Sequence, residues 1–370
     1  MIPYILVFSI SIFFTYLADK YNNKSLFYLL SIFALIPPII LAGFRDETIG
    51  TDIQTYVLGT LYMAGDYGNL SDFISDSNID VVFTFLVYIS NKILGDLNGV
   101  LIIISTFTLI CVYIAIAKMR HKLSMSYAIF VYLFSFFNSS LNLMRQNMAI
   151  SVCLLLLVFL FHKEYIKASI AGVLAFFCHS SSIFFVLPII IFIYIQNNIQ
   201  YEKKIWKWIN IYFFLLPLLF FLFDTLLTFF INVGLFSDKY AMYSTKNKLG
   251  GVSVNTIFVL TYIAFNVIIY KLSKSYRNNL NYIYSLLITY STLVVGLLSA
   301  ISIWAGRLSL YFQILTVIMF PMLIFNLPSK LRIAYKSIFT FLIIFYWWYT
   351  YIINNASETY PYTSKILGIN

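Results

Sequence analysis

Apolar residues run along this chain in blocks of nearly twenty, divided by short polar stretches. A helix needs about 20 apolar residues to cross roughly 30 Å of hydrocarbon. The blocks predict spans at approximately 2–18, 25–43, 99–117, 124–138, 147–162, 165–178, 181–196, 208–224, 254–271, 280–300, 308–326 and 337–353. The expected fold is an all-α polytopic membrane protein of about twelve transmembrane helices. Uninterrupted apolar runs, in place of strict alternation, speak against a closed barrel. Residues 80–94 fit a further span, a re-entrant piece or an interfacial helix.

With no linker and no internal repeat, residues 1–370 read as a single integral membrane domain. A long outer loop is expected after the second span (about 44–98) and another after the eighth (225–253). The first run has neither a basic leader nor a small-residue cleavage site, so it reads as a retained span. Pro37, Pro38, Pro188, Pro217 and Pro321 mark places where a span can kink.

Composition narrows the class. Of 370 residues, 61% are hydrophobic and 10% charged. That leaves too few polar residues to cover a soluble enzyme of this size, and the apolar content excludes a disordered chain. Lys and Arg number 24 against 14 Asp and Glu, a net charge of +10. Sixteen of the 24 cations lie in the Lys20/Lys24, Lys118/Arg120/Lys122, Lys163/Lys167, Lys203/Lys204/Lys207, Lys271/Lys274/Arg277 and Lys330/Arg332/Lys336 loops. With twelve spans these loops share one side, the cytoplasmic one by the positive-inside bias, and both termini face outward. The excess is therefore no sign of nucleic acid. Cys111, Cys153 and Cys178 have no metal-ligand spacing, and neither a disulfide, a metal nor a cofactor is expected.

The informative charges are those that disobey this sorting. Arg45, Arg145 and Arg307 fall on the cation-poor face, at or near span ends. Each can snorkel or pair with a loop carboxylate; together they make a candidate anion site, because a guanidinium fork matches phosphate oxygens. Gly43-Phe44-Arg45 leads into Gly50-Thr51-Asp52 and Tyr56, where Asp52 can cap a helix or take a proton from a sugar hydroxyl. Arg145-Gln146 opens a span, where the helix N-terminus adds positive partial charge. His179, beside Ser180, Ser181 and Ser182, sits at the outer end of an apolar span and reads either as an interfacial histidine or as an acid, base or phosphate donor. Arg307 and Tyr311 are four apart on one helical face. Tyr360-Pro361-Tyr362 in the tail offers rings for stacking on sugars.

In this order and spacing the five segments resemble the EpsG-like family of bacterial polysaccharide polymerases, which are related in role to Wzy-type O-antigen polymerases. One departure stands out. Asp80-Val81-Val82-Phe83 occupies the place where the family often has a glutamate before a Gly-aromatic pair; either Asp80 substitutes or the position is not essential. The resemblance implies a multi-pass enzyme of the bacterial inner membrane with its active site facing the periplasm. It would join oligosaccharide repeat units carried on undecaprenyl pyrophosphate, with that lipid pyrophosphate leaving. A flippase and a chain-length regulator of the same pathway are the implied partners, with membrane lipid around them.

Such a transfer needs positive charge on the leaving phosphate and a base for the acceptor hydroxyl. Arg45, Arg145 and Arg307 are expected on the pyrophosphate, His179 or Asp52 at the acceptor, and Gln146, Tyr56, Tyr311 and Tyr362 along the sugars. Two other functions leave a similar sequence: a flippase for lipid-linked oligosaccharide, which would place its cations in a central cavity, and an O-antigen ligase, which differs in its acceptor.

Overall fold

The computed structural model of the protein describes residues 1–21, 23–198, 200–201, scattered positions between 204 and 218, and residues 222–233, 280–296 and 307–369. Among these, every regular element is helical, and an isolated bridge between Ser364 and Ile369 closes the C-terminal tail. The chain divides into two compact units, one of residues 1–183 with 320–370 and one of residues 184–319.

The first unit begins with a helical hairpin of α1 (Ile2–Lys20) and α2 (Lys24–Gly43). Asn23 caps the second arm, its side chain accepting from the Leu26 N–H at 3.0 Å. A π-turn, Ile53–Val57, leads into three short helices: α3 (Leu58–Asp66), α4 (Leu70–Ser77) and α5 (Val81–Ile93). Then follow α6 (Leu97–Lys118), α7 (Met125–Ser135), α8 (Phe137–Asn142), α9 (Met144–Phe161) and α10 (Tyr165–Cys178). Helix α2 packs on α6, α6 on α9, α9 on α10, and α1 on α7.

Helix α9 is the axis of this unit. Within its apolar window 78% of residues are buried, against 28% for α1. A helix apolar all round is stable only where neighbours or lipid surround it. Here its neighbours do so, and α1 is left with faces of a kind that lipid suits. The C-terminal part of the unit comprises the end of α15 (Thr316–Phe325) and α16 (Ser329–Trp347), which runs on as a π-turn, Trp348–Ile353. Tyr4, Phe8, Phe134, Phe137, Trp347 and Tyr362 meet edge-on. Such pairs contribute about 0.5–1.5 kcal/mol each beyond area burial. The Trp347 indole N–H donates to Asn138 Oδ1 at 2.9 Å, and the Tyr4 hydroxyl to the Thr359 carbonyl at 2.7 Å. N-terminal helix, C-terminal helix and tail are thus tied at one place.

The second unit contains α11 (Val186–Asn198), α12 (Phe223–Asn232), α13 (Leu280–Gly296), a 3-10 turn (Arg307–Ser309) and α14 (Leu310–Gln313). Helix α13 packs on α11 and α14, with Phe192 edge-on to Tyr284 at 5.3 Å.

Among the described residues, seven helical stretches are long and apolar enough to cross a membrane: Ile2–Lys20, Lys24–Gly43, Leu97–Lys118, Met144–Phe161, Ser180–Asn198, Arg307–Phe325 and Ser329–Ile353. The expected spans at 124–138, 165–178 and 280–300 appear as shorter apolar helices. The span expected at 254–271 and about half of that at 208–224 lie outside the described residues, as does most of the loop expected at 225–253. The segment expected as one long loop at 44–98 is helical over most of its length. Asn78, in the left-handed region at φ 51, ends α4, and Asp80 stands at the start of α5. At 13 residues, α5 reaches only about 20 Å, short of a span.

Candidate functional site

Three helix ends in the first unit bring charged groups together: the start of α9, the start of α5 and the end of α10. Arg145 is the second residue of α9, Asp80 precedes α5, and His179 follows α10. Arg145 Nη1 donates to Asp80 Oδ2 at 2.8 Å, and His179 Nδ1 lies 3.1 Å from the same oxygen. The three side chains are 16%, 14% and 24% exposed, so water reaches them but does not surround them. The Arg145 guanidinium carbon lies 3.8 Å from the centre of the Tyr56 ring. Its Nε is buried and has no hydrogen-bond partner among the described residues.

Burial alone would raise the Asp80 pKa; the hydrogen bond and charge of His179, with those of Arg145, outweigh it and hold the carboxyl below its ordinary value. Asp80 is therefore an anion at neutral pH, able only to accept. Whenever the His179 ring holds a single proton, that proton must sit on Nδ1 to donate to Asp80, which leaves the Nε2 lone pair for another partner. An open, largely apolar cleft of about 550 Å³ lies along α5 and α10, lined by Val81, Val82, Ile170, Val173, Leu174 and Phe177 with Ser169.

A second group of expected site residues lies beside this cluster but faces inward. Arg45 is 2% exposed. Its Nε donates to the Ile49 carbonyl at 3.2 Å, Nη2 to that of Leu141 at 3.0 Å, and Nη1 to that of Ala42. Burial pulls its pKa down to about 10, which still leaves it charged at neutral pH. Asp52 Oδ2 accepts the Met144 N–H at 3.0 Å. Gly50, at φ +85, permits the turn between them; a Cβ there would lie 2.7 Å from the Leu141 carbonyl oxygen. Tyr362 is 3% exposed and donates to the Leu41 carbonyl at 2.8 Å, so its hydroxyl is used within the fold. Gln146 is buried in the start of α9.

Arg307 and Tyr311 belong to the second unit, Arg307 half-buried at the head of the 3-10 turn and Tyr311 wholly buried in α14. The structure thus gathers Arg145, His179 and Tyr56, and puts Asp80 among them. Asp80 is the group that residue patterns do not single out. Its sequence signal is its position as the last acidic residue before the 81–90 apolar run, where the resemblance has a carboxylate.

A family model described as the EpsG family matches residues 28–364, most of the chain. No curated protein and no solved structure matches it.

Proposed function

The chain belongs to the EpsG family, whose members are polysaccharide polymerase-like membrane proteins, and from that premise we propose that it is a glycosyltransferase joining lipid-linked oligosaccharide repeat units at the Arg145–Asp80–His179 cluster. The donor is a growing chain on undecaprenyl pyrophosphate, and the acceptor is a sugar hydroxyl of the incoming unit. The protein would work in the bacterial inner membrane with this cluster facing the periplasm, supplied by a flippase and limited by a chain-length regulator.

The observation that carries this reading is the shared carboxylate. Asp80 keeps the His179 proton on Nδ1, so Nε2 can accept the proton of the acceptor hydroxyl. The acceptor oxygen then bonds to the anomeric carbon, and the bond from that carbon to the pyrophosphate oxygen breaks. The electron pair leaves with the pyrophosphate. With His179 neutral, Arg145 and Asp80 cancel; once the ring holds two protons, the cluster is net positive. Positive charge thus grows at the site in step with negative charge on the leaving group, the form of stabilisation that favours a transition state over a ground state. Arg145 contacts the leaving phosphate, and its Nε is a donor that no group among the described residues uses. The apolar cleft beside Val81 and Phe177 receives the lipid chain in this reading.

The test is deletion of the chain in its host, complementation with wild type or with Arg145→Ala, and display of the surface polysaccharide on a gel. Removal of a charged contact to the transferring group is expected to lower the rate by about a hundredfold or more. A polymer ladder with wild type and a single repeat unit with Arg145→Ala supports a polymerase acting through Arg145. Normal-length polymer left on its carrier lipid would instead identify a ligase, and loss of all outward sugar a flippase.

A further inference from the structure

Arg145 stands one residue inside α9, and the groups that fix the start of that helix come mainly from elsewhere in the chain. Leu143, at the cap position, has no side-chain oxygen to offer. The first N–H groups of a helix have no partner within it, so the Met144 N–H needs an acceptor from outside. Asp52 Oδ2 supplies it at 3.0 Å, from a segment some ninety residues earlier. Beside it, the Thr51 N–H and hydroxyl both donate to Asn142 Oδ1, at 2.9 and 2.7 Å. Arg45 holds the Leu141 carbonyl. The 45–52 segment therefore grips both sides of the break between α8 and α9.

That segment is itself held by the tail. The Gly50 N–H donates to the Glu358 carbonyl at 2.9 Å and the Asp46 N–H to that of Thr363 at 3.1 Å, while Asp46 Oδ1 accepts the Lys365 N–H at 2.9 Å.

We propose that Asp52 is a positioning residue: it caps α9 from outside the helix, sets Arg145 against Asp80, and exchanges no proton with the substrate. The proposal rests on the reading that Arg145 acts on the donor. Its chemistry can be separated from that of a base, because asparagine caps a helix about as well as aspartate but carries no basic carboxylate.

The experiment compares Asp52→Asn, Asp52→Ala and Arg145→Ala with wild type in the deletion strain. It reads the polymer ladder together with the amount of each full-length protein in the membrane. A side chain misplaced by an ångström can cost about a hundredfold in rate, so Asp52→Ala is expected to shorten or abolish the ladder. Asp52→Asn is expected to restore it at wild-type protein level. Loss of the ladder in Asp52→Asn overturns the proposal, whether the protein is present (a carboxylate is required) or absent (asparagine does not serve as the cap). A full ladder with Asp52→Ala also overturns it. A normal ladder with Arg145→Ala overturns the functional reading itself, since nothing would remain for Asp52 to position.

Discussion

Both ends of α9 carry a carboxylate set between two basic groups, and the two clusters differ in the chemistry of those groups and in how deeply the carboxylate is buried. At the C-terminal end Glu164 lies 2.9 Å from Lys118 Nζ and 3.0 Å from Lys167 Nζ. Its partners are lysines, flexible point charges, and Lys167 is 61% exposed. At the other end Asp80 meets a guanidinium and an imidazole, and no member of the trio exceeds 24% exposure. Both carboxyls are held below their ordinary pKa. For Glu164, 27% exposed, the hydrogen bonds from the two lysines do this with little burial to overcome. For Asp80 the pairing must first overcome burial. Distance and sign are thus the same at the two ends; what distinguishes the Asp80 end is a titratable ring with one nitrogen fixed, a planar cation against Tyr56, and a carboxylate that is 14% exposed against 27% for Glu164. Charge pairing alone would rank the two clusters equal, while these three features point to chemistry at one of them.

Breaking the Asp80 end should therefore matter, and breaking the Glu164 end should not. The largest effect is expected from His179→Ala. Loss of a general base costs about 10²- to 10⁴-fold in rate, and membrane-reconstituted protein supplied with lipid-linked repeat units should show it at unchanged protein level. Next comes Tyr56. Tyr56→Phe keeps the ring under Arg145, whereas Tyr56→Ala removes a contact of about 0.5–2 kcal/mol, which is roughly a two- to thirtyfold loss in the same assay. A hydroxyl contact to sugar would reverse this order and make Tyr56→Phe the damaged variant.

A smaller effect is expected in stability against pH. The Asp80 carboxyl titrates below its ordinary value of 3.8 in the folded protein. Its stabilising contribution is complete above that ordinary value and is lost as the pH falls through the lowered one. Thermal unfolding in detergent should thus decline more steeply below about pH 4 in the wild type than in Asp80→Asn; parallel curves would remove the ion pair from the account. The smallest effect is expected from Glu164→Gln, because exposed pairs contribute little and are screened by salt. Its ladder should match wild type.

The contrast also explains what could be read in the chain and what could not. Span-length helices such as α6 and α9 are legible because lipid demands runs of apolar residues, and a run is a local property. Arg145 and His179 are legible because they break the sorting of charge. Asp80 is legible only through the resemblance, which has a carboxylate at its place; charge alone does not choose it from the acidic 44–98 segment, whereas the folding of α5 beside α9 and α10 does. Arg45 shows the converse. Its charge stands out, but whether a guanidinium meets a ligand or a carbonyl is decided by Leu141, 96 residues away. Asp52 is ambiguous for the same reason, since capping and proton transfer ask for the same residue type. The rings of Tyr362 and Tyr311 look available for sugars in sequence and are buried in the fold.

The claim at the centre of this account is that Asp80, Arg145 and His179 work as one unit. The most direct measurement is the surface-polysaccharide ladder of the deletion strain complemented with Asp80→Asn. That substitution keeps the size of the side chain and removes the charge that orients His179 and balances Arg145. The account predicts a single unpolymerised repeat unit with the variant protein at wild-type level in the membrane. A full-length ladder under those conditions would contradict it.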